Sequence, residues 1–311
     1  MAKAEIRTAY GEALRDLGAE NPRVVALDAD LSGSTKSALF GKAHPDRFFN
    51  VGIAELNMVA MAAGMSACGL IPFVNTFAVF LALRAADPIQ SLIAHDKLNV
   101  KLAGAYGGMS DSYDGSSHQA ITDIAHMRAL PNMTVVCVCD AVETKKAVKA
   151  VSEMDGPVYL RLSRAFTDIL FDDSYNFQIG RGVRLTEGKD VTIVATGYMV
   201  QKSLAAAELL KTQGISARVV NIHTIKPIDA ELLAACARDT GAVVTVEEHN
   251  IFGGLGGAVA EALAQTCPVP IEMVGMEDCF GQSGDYEQLL EKYGLYPDRI
   301  AAAAKAAIAR K

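Results

Sequence analysis

The sequence predicts an α/β protein of two domains, and three observations carry that reading. Short β-branched runs alternate with helix-period segments along the chain. A parallel sheet requires that order, because each parallel strand reaches the next through a crossover, usually a helix. The 311 residues, 50% of them apolar, are ample for two compact domains of ordinary size. The segment 167–182, TDILFDDSYNFQIGRG, breaks the rhythm with acids, Asn and Gly and no clear period, so it reads as the joint.

Taken in order, the first unit reads as a helix over 4–19, then a strand at 24–27; a helix over 54–67, then a strand at 71–74; and a helix over 78–94, then a strand at 100–103. A helix over 119–129 with a strand at 134–138, and a helix over 142–153 with a strand at 158–162, complete it. Beyond the joint, strands at 191–195, 217–221, 242–247 and 271–274 alternate with helices near 199–213, 229–238, 256–265 and 298–310. The terminal AAAAKAAIAR is helix propensity. The expected division is 1–170, a linker at 171–182, and a smaller α/β domain at 183–311.

With 36 acidic and 29 basic side chains the formal charge is −7, and basic runs are scarce. Nucleic acid is therefore not expected as a partner, since phosphate-backbone binding rests on clustered Lys and Arg. No stretch reaches eighteen apolar residues without a charge, and MAKAEIRTAYGEAL reads as an amphipathic helix rather than a signal peptide. No membrane association is expected, and the expected compartment is the cytoplasm. The six cysteines form no CxxC pair and have no His at zinc-ligand spacing, so reduced thiols are expected and no metal site.

Several residues stand out for chemistry. Glu55, in NVGIAELN, opens a strongly apolar Ala/Met helix just after a glycine turn. A Glu in a first helical turn commonly serves the helix dipole. On a helix buried on several faces, however, an ionisable group needs a specific partner. Phe77 and Phe80, three apart, share a face if both are helical, which ordinarily means core packing. Asp114 and His118 flank the glycine of YDGSSHQ just before a helix, a place where polar side chains line clefts. Arg7, Ser34 and Arg164 are individually unremarkable, although Arg164 lies just beyond a strand end. The run FGGLGGAV is a poor dinucleotide fingerprint, because starting at Gly254 the third glycine position is occupied by Val259, and six residues separate Gly254 from the strand. A tight turn into a helix accounts for it better.

In combination, GIAELNMVAMAAGM, FVNTFAVF, DGSSHQAITDIAHMRALPNM and LRLSR resemble the pyrimidine-binding domain of transketolases. The second half, with NIHTIKPID, TVEEHNIFGGLGG and FGQSGDYEQLLEKYGL, is similar to their C-terminal domain, and also to that of deoxyxylulose-phosphate synthases and 2-oxo acid dehydrogenase β chains. The resemblance covers essentially the whole chain and implies a thiamine diphosphate pyrimidine-binding fold followed by a smaller α/β domain. It implies that Glu55 bonds N1′ of the cofactor's aminopyrimidine so that the 4′ nitrogen takes the C2 proton, and that Phe77 and Phe80 hold the ring. His118 is then the histidine bonding the donor's carbonyl or C1 hydroxyl region, Asp114 reads the C2 hydroxyl of the acceptor aldose, and Arg7, Ser34 and Arg164 bind the terminal phosphate.

What the chain lacks also carries information. The family binds the diphosphate through Mg²⁺ on a domain marked by a GDG motif, and no GDG occurs here; Gly284-Asp285-Tyr286, in the wrong domain, is the nearest string. The resemblance therefore implies the C-terminal subunit of a split transketolase, in an α2β2 assembly with an N-terminal subunit that carries the GDG and the Mg²⁺ ligands. Its substrates are sugar phosphates, either pentose-phosphate intermediates or branched or unusual sugars. One departure concerns Ala105-Tyr106-Gly107-Gly108, where many transketolases carry a phosphate-binding His in a THDS-like string. Either Tyr106 supplies a hydroxyl in its place or the pocket is reshaped. The alternatives are a deoxyxylulose-phosphate synthase, a 2-oxo acid dehydrogenase β chain, or a scaffold subunit without catalysis.

Overall fold

The structure, a computed structural model, describes residues 2–311. Its strands are β1 (Lys3–Glu5), β2 (Val24–Asp28), β3 (Phe48–Asn50), β4 (Ile71–Phe77), β5 (Lys101–Ala105), β6 (Thr134–Cys137) and β7 (Val158–Arg161). There follow β8 (Phe166–Asp168), β9 (Val183–Arg184), β10 (Val191–Ala195), β11 (Ala217–Asn221), β12 (Thr224–Lys226), β13 (Val243–Asn250) and β14 (Ile271–Met276).

The first sheet has seven strands in the order β12-β6-β7-β5-β4-β2-β3, and the second five in the order β14-β13-β10-β11-β9. All neighbours in the first are parallel except β12, which runs antiparallel to β6. In the second, β9 alone is antiparallel. The two-domain α/β architecture with mainly parallel sheets is thus the one the alternation predicts. Central strands such as β2 and β4 are buried along their whole length, as a parallel sheet covered on both faces requires. One apolar core lies on one face of the first sheet, the core on its other face continues into the second unit through Val194, Val220 and Leu263, and a third fills the rest of the second unit.

The structure corrects the expectation in three places. The single helix over 78–94 is three pieces: Ala78–Arg84, Ala86–Pro88 and a π-helical Ile89–Ala94, where the His95 N–H reaches the Gln90 carbonyl at 3.1 Å. Pro88 has no N–H and its ring crowds the carbonyl four residues back, which is where the first piece ends. The helix expected from 119 begins only at Asp123. Ala120 is held instead against Gly108 by reciprocal backbone bonds of 2.9 and 3.0 Å. The strands β1, β3, β8, β9 and β12 were not expected. β12, from the second half, completes the edge of the first sheet, so a strand from beyond the joint is built into the first unit.

Candidate active site

Strand ends and helix starts bring the candidate residues together. Phe77 ends β4, Tyr106 follows β5 directly and Arg164 lies just past β7, all at the carboxyl edge of the parallel sheet, where α/β folds open their crevices. Arg7 is in the first turn of helix Ile6–Glu20, and Glu55 begins helix Glu55–Ala67. The chain enters the latter through Gly52 at φ +73°, a backbone angle glycine adopts without a Cβ clash.

Glu55 is 4% exposed. Its Oε1 lies 3.1 Å from Arg84 Nη1, and the Arg84 guanidinium carbon sits 4.0 Å from the centre of the Phe80 ring. A carboxylate out of water needs such a specific partner, and Arg84 supplies it. The contact engages one oxygen and leaves the other for a ligand.

Phe77 and Phe80 do not share a helical face, since Phe77 is the last residue of β4. Their rings nevertheless stack, with centroids 5.7 Å apart and planes at 24°. Phe77 also stacks on Tyr106 at 4.2 Å, and His118 presents its edge to Phe80 at 5.1 Å. These rings form a continuous aromatic wall beside the Glu55 carboxylate.

The loop from Tyr106 to Ala120 turns at Tyr106 (φ +61°), Gly108 (+68°) and Gly115 (+80°). A bulky residue in the left-handed region is held there by its surroundings. For Tyr106 the holding contacts are the Phe77 stack and Arg7, whose Nη1 donates to the tyrosine oxygen at 2.6 Å. Arg7 also donates to the Ser34 carbonyl at 3.3 Å and to Glu5 at 3.0 Å, while its buried Nε has no partner. Ser34 thus meets Arg7 through its backbone. Arg164 Nη1 donates to the Asp111 carbonyl at 3.2 Å. The guanidinium carbons of Arg7 and Arg164 both lie 5.4 Å from the Tyr106 ring centre.

Asp114 is exposed at the end of the turn Ser112–Asp114, and half-buried His118 meets Ser117 Oγ through Nδ1 at 2.9 Å. Two residues in this region escaped the sequence reading. Arg84 had a usable signal, lying four positions after Phe80 on one helix. Asp111 had none. Its carboxylate is buried with no hydrogen-bond partner, 3.7 Å from Arg164 Nη1, and burial, with the Asp114 charge beside it, pushes its pKa up to about 7.

The glycine run at 252–257 makes the expected turn, with Gly253 at φ +76° before helix Leu255–Thr266. The buried Glu247 carboxylate accepts the N–H groups of Leu255 and Gly256, both at 2.7 Å. Those are the donors that would otherwise bind a phosphate at a helix start.

A buried carboxylate with one oxygen open, next to stacked phenyl rings, fits an aminopyrimidine: the oxygen accepts from a ring nitrogen and the rings face its plane. Among the described residues no group of three or more His, Cys, Asp or Glu is placed to hold a metal ion, and no helix is long and apolar enough to cross a membrane.

Residues 2–168 match the transketolase pyrimidine binding domain and residues 180–300 the transketolase C-terminal domain. A transketolase C-terminal section from Methanocaldococcus jannaschii is 46% identical, over 95% of this chain and 94% of its own length. A 6-deoxy-6-sulfo-D-fructose transketolase subunit of a Clostridium species is 41% identical, over 98% of this chain and 95% of its own. Among solved structures, a split gene transketolase in an inactive β4 tetramer superposes with a TM-score of 0.92 at 51% identity, each chain covering 100% of the other.

Proposed function

Because the chain belongs to the transketolase family and is a transketolase subunit, whose enzymes work with thiamine diphosphate and a divalent metal, we propose that it binds the pyrimidine end of that cofactor and the sugar substrates. Its N-terminal partner subunit, carrying the GDG motif, would bind the diphosphate and Mg²⁺ in a cytoplasmic α2β2 assembly. The reaction is transfer of a two-carbon ketol unit from a ketose phosphate to an aldose. The observation that carries this reading is the placement of Glu55, buried and paired with Arg84, beside the Phe77–Phe80 stack.

When bound, thiamine diphosphate supplies an electron sink that lets carbon–carbon bonds next to a carbonyl break and form. The open oxygen of Glu55 would hold the pyrimidine N1′, and its negative charge stabilises the protonated ring. Phe77 and Phe80 orient the ring and exclude water. His118, edge-on to the same wall, is positioned to donate to the sugar oxygens at the reacting end. Asp114 would accept the acceptor's C2 hydroxyl, so acceptors without that hydroxyl would be rejected.

Arg7 and Arg164, on either side of Tyr106, would bind the far end of the sugar, with Ser34 beside Arg7. Two guanidinium groups suit a tetrahedral oxyanion. The Clostridium relative is named for a sugar ending in a sulfonate, and for this chain we take a phosphate, with the Tyr106 hydroxyl standing where many relatives carry a histidine.

The test is reconstitution. The rigorously purified chain should transfer no ketol unit and bind thiamine diphosphate weakly, and adding the partner should restore both. The split gene transketolase solved as a β4 tetramer is described as inactive. Appreciable turnover by this chain alone would defeat the split-enzyme reading.

A further inference from the structure

The loop from Tyr106 to Ala120, which presents Tyr106, Asp114 and His118, is held on its outer side by the second unit. At its start, a carboxylate on β13 reaches across: Glu248 Oε1 accepts the Met109 backbone N–H at 2.6 Å, and its Oε2 accepts the Tyr286 hydroxyl at 2.9 Å. Glu248 is 3% exposed. The approach is so close that a Cβ on Gly108 would run into the Glu248 carboxylate. Further along, Gln119 Nε2 donates to the Gln282 carbonyl at 2.9 Å, and a Cβ on Gly115 would meet Ser283 Oγ.

The base of the loop is tied down separately. Arg161 Nη2 donates to the carbonyls of Ala120 (2.9 Å) and Glu248 (3.0 Å), and Gly107 N–H bonds the Leu162 carbonyl at 2.9 Å. The Glu248 carboxylate is therefore not needed to close the loop. It acts on the stretch between Tyr106 and Asp114.

We propose that Glu248 is a positioning residue, through which the second unit sets the place of the substrate-facing loop and with it the affinity for the acceptor sugar. This rests on the proposed roles of Asp114 and His118. A loop carrying two substrate-binding groups gains precision from a buried acceptor on a strand, and small displacements of such groups weaken binding severely. Glu248 itself touches no substrate.

The experiment uses the chain assembled with its partner subunit. Glu248→Ala should raise the acceptor KM about tenfold or more, and more than it raises the donor KM, while leaving thiamine diphosphate affinity near that of the parent. Glu248→Gln, whose amide oxygen accepts from Met109 and whose NH₂ donates to the Tyr286 oxygen, should restore most of the acceptor affinity.

Hydrogen exchange of the Met109 amide should accelerate in Glu248→Ala and not in Glu248→Gln. Unchanged acceptor KM in Glu248→Ala, or an equal fall for donor, acceptor and cofactor together with loss of folded protein, would overturn the proposal. If the wild-type assembly transfers no ketol unit, the proposed activity has failed. The exchange rate at Met109 still decides whether Glu248 holds the loop, and unaltered exchange in Glu248→Ala overturns it on that readout alone.

Discussion

The Glu55 carboxyl sits in a nearly dry position, and its replacement is the sharpest test of a single side chain. Glu55→Gln keeps the shape but removes the carboxylate proposed to hold the cofactor's pyrimidine. In the assembled enzyme we expect nearly all activity to be lost with the fold retained. Proton exchange at cofactor C2, followed by NMR, should slow by orders of magnitude, and an unchanged rate would remove Glu55 from the mechanism. At the other end of the site, Arg164→Ala should weaken phosphorylated substrates by about 1.5–3 kcal/mol, the range for hydrogen bonds to a charged group. Comparing kcat/KM for a matched phosphorylated and free aldose measures this; equal losses for both would mean that Arg164 serves the fold. The burial of Glu55 beside a partner was foreshadowed in the sequence, because an acid on a helix so apolar needs a specific partner. Asp111 was not, because nothing local distinguishes it; what sets it apart is burial beside Arg164 and Asp114.

Helix Ala141–Glu153 shows how one element's end is tied to the joint between the units. Asp140 caps it, accepting from the Glu143 N–H at 2.7 Å, and its other oxygen accepts from Leu170 and Phe171 at 2.7 and 2.9 Å. Asp140→Ala removes the cap and leaves two more donors without an acceptor. We expect a loss on the order of 2–4 kcal/mol, read as a lower midpoint in chemical denaturation, with Asp140→Asn recovering part of it. A shift within error would mean that water replaces the side chain. This helix was predicted from its period to within one residue, as was Glu55–Ala67. The helix over 78–94 was not, because apolar periodicity continues through Pro88 while the hydrogen-bond ladder does not.

At the scale of the molecule, several acids are buried where the two units meet. Burial pushes Glu143 and Glu248 each up to about 7 from a usual 4.5, although both accept hydrogen bonds. Between those values these two carboxyls bind more protons in the folded chain than in the unfolded one, so the stability they contribute is full below about 4.5 and is lost as pH rises through about 7. Thermal midpoints should decline across that window, and Glu143→Gln should flatten the decline; an unaltered slope would assign it to other groups. The alternation of strands and helices, the two α/β units and the linked motifs of the pyrimidine-binding resemblance were determined by the sequence alone, because side-chain period and turn chemistry act over a few residues. Tertiary structure alone decided that β12 completes the first sheet, that Arg84 neutralises Glu55, and that Glu248 reaches Met109 across 139 residues of chain. Those outcomes depend on which buried faces meet after the two units pack, and local periodicity does not specify partners so far apart in the chain.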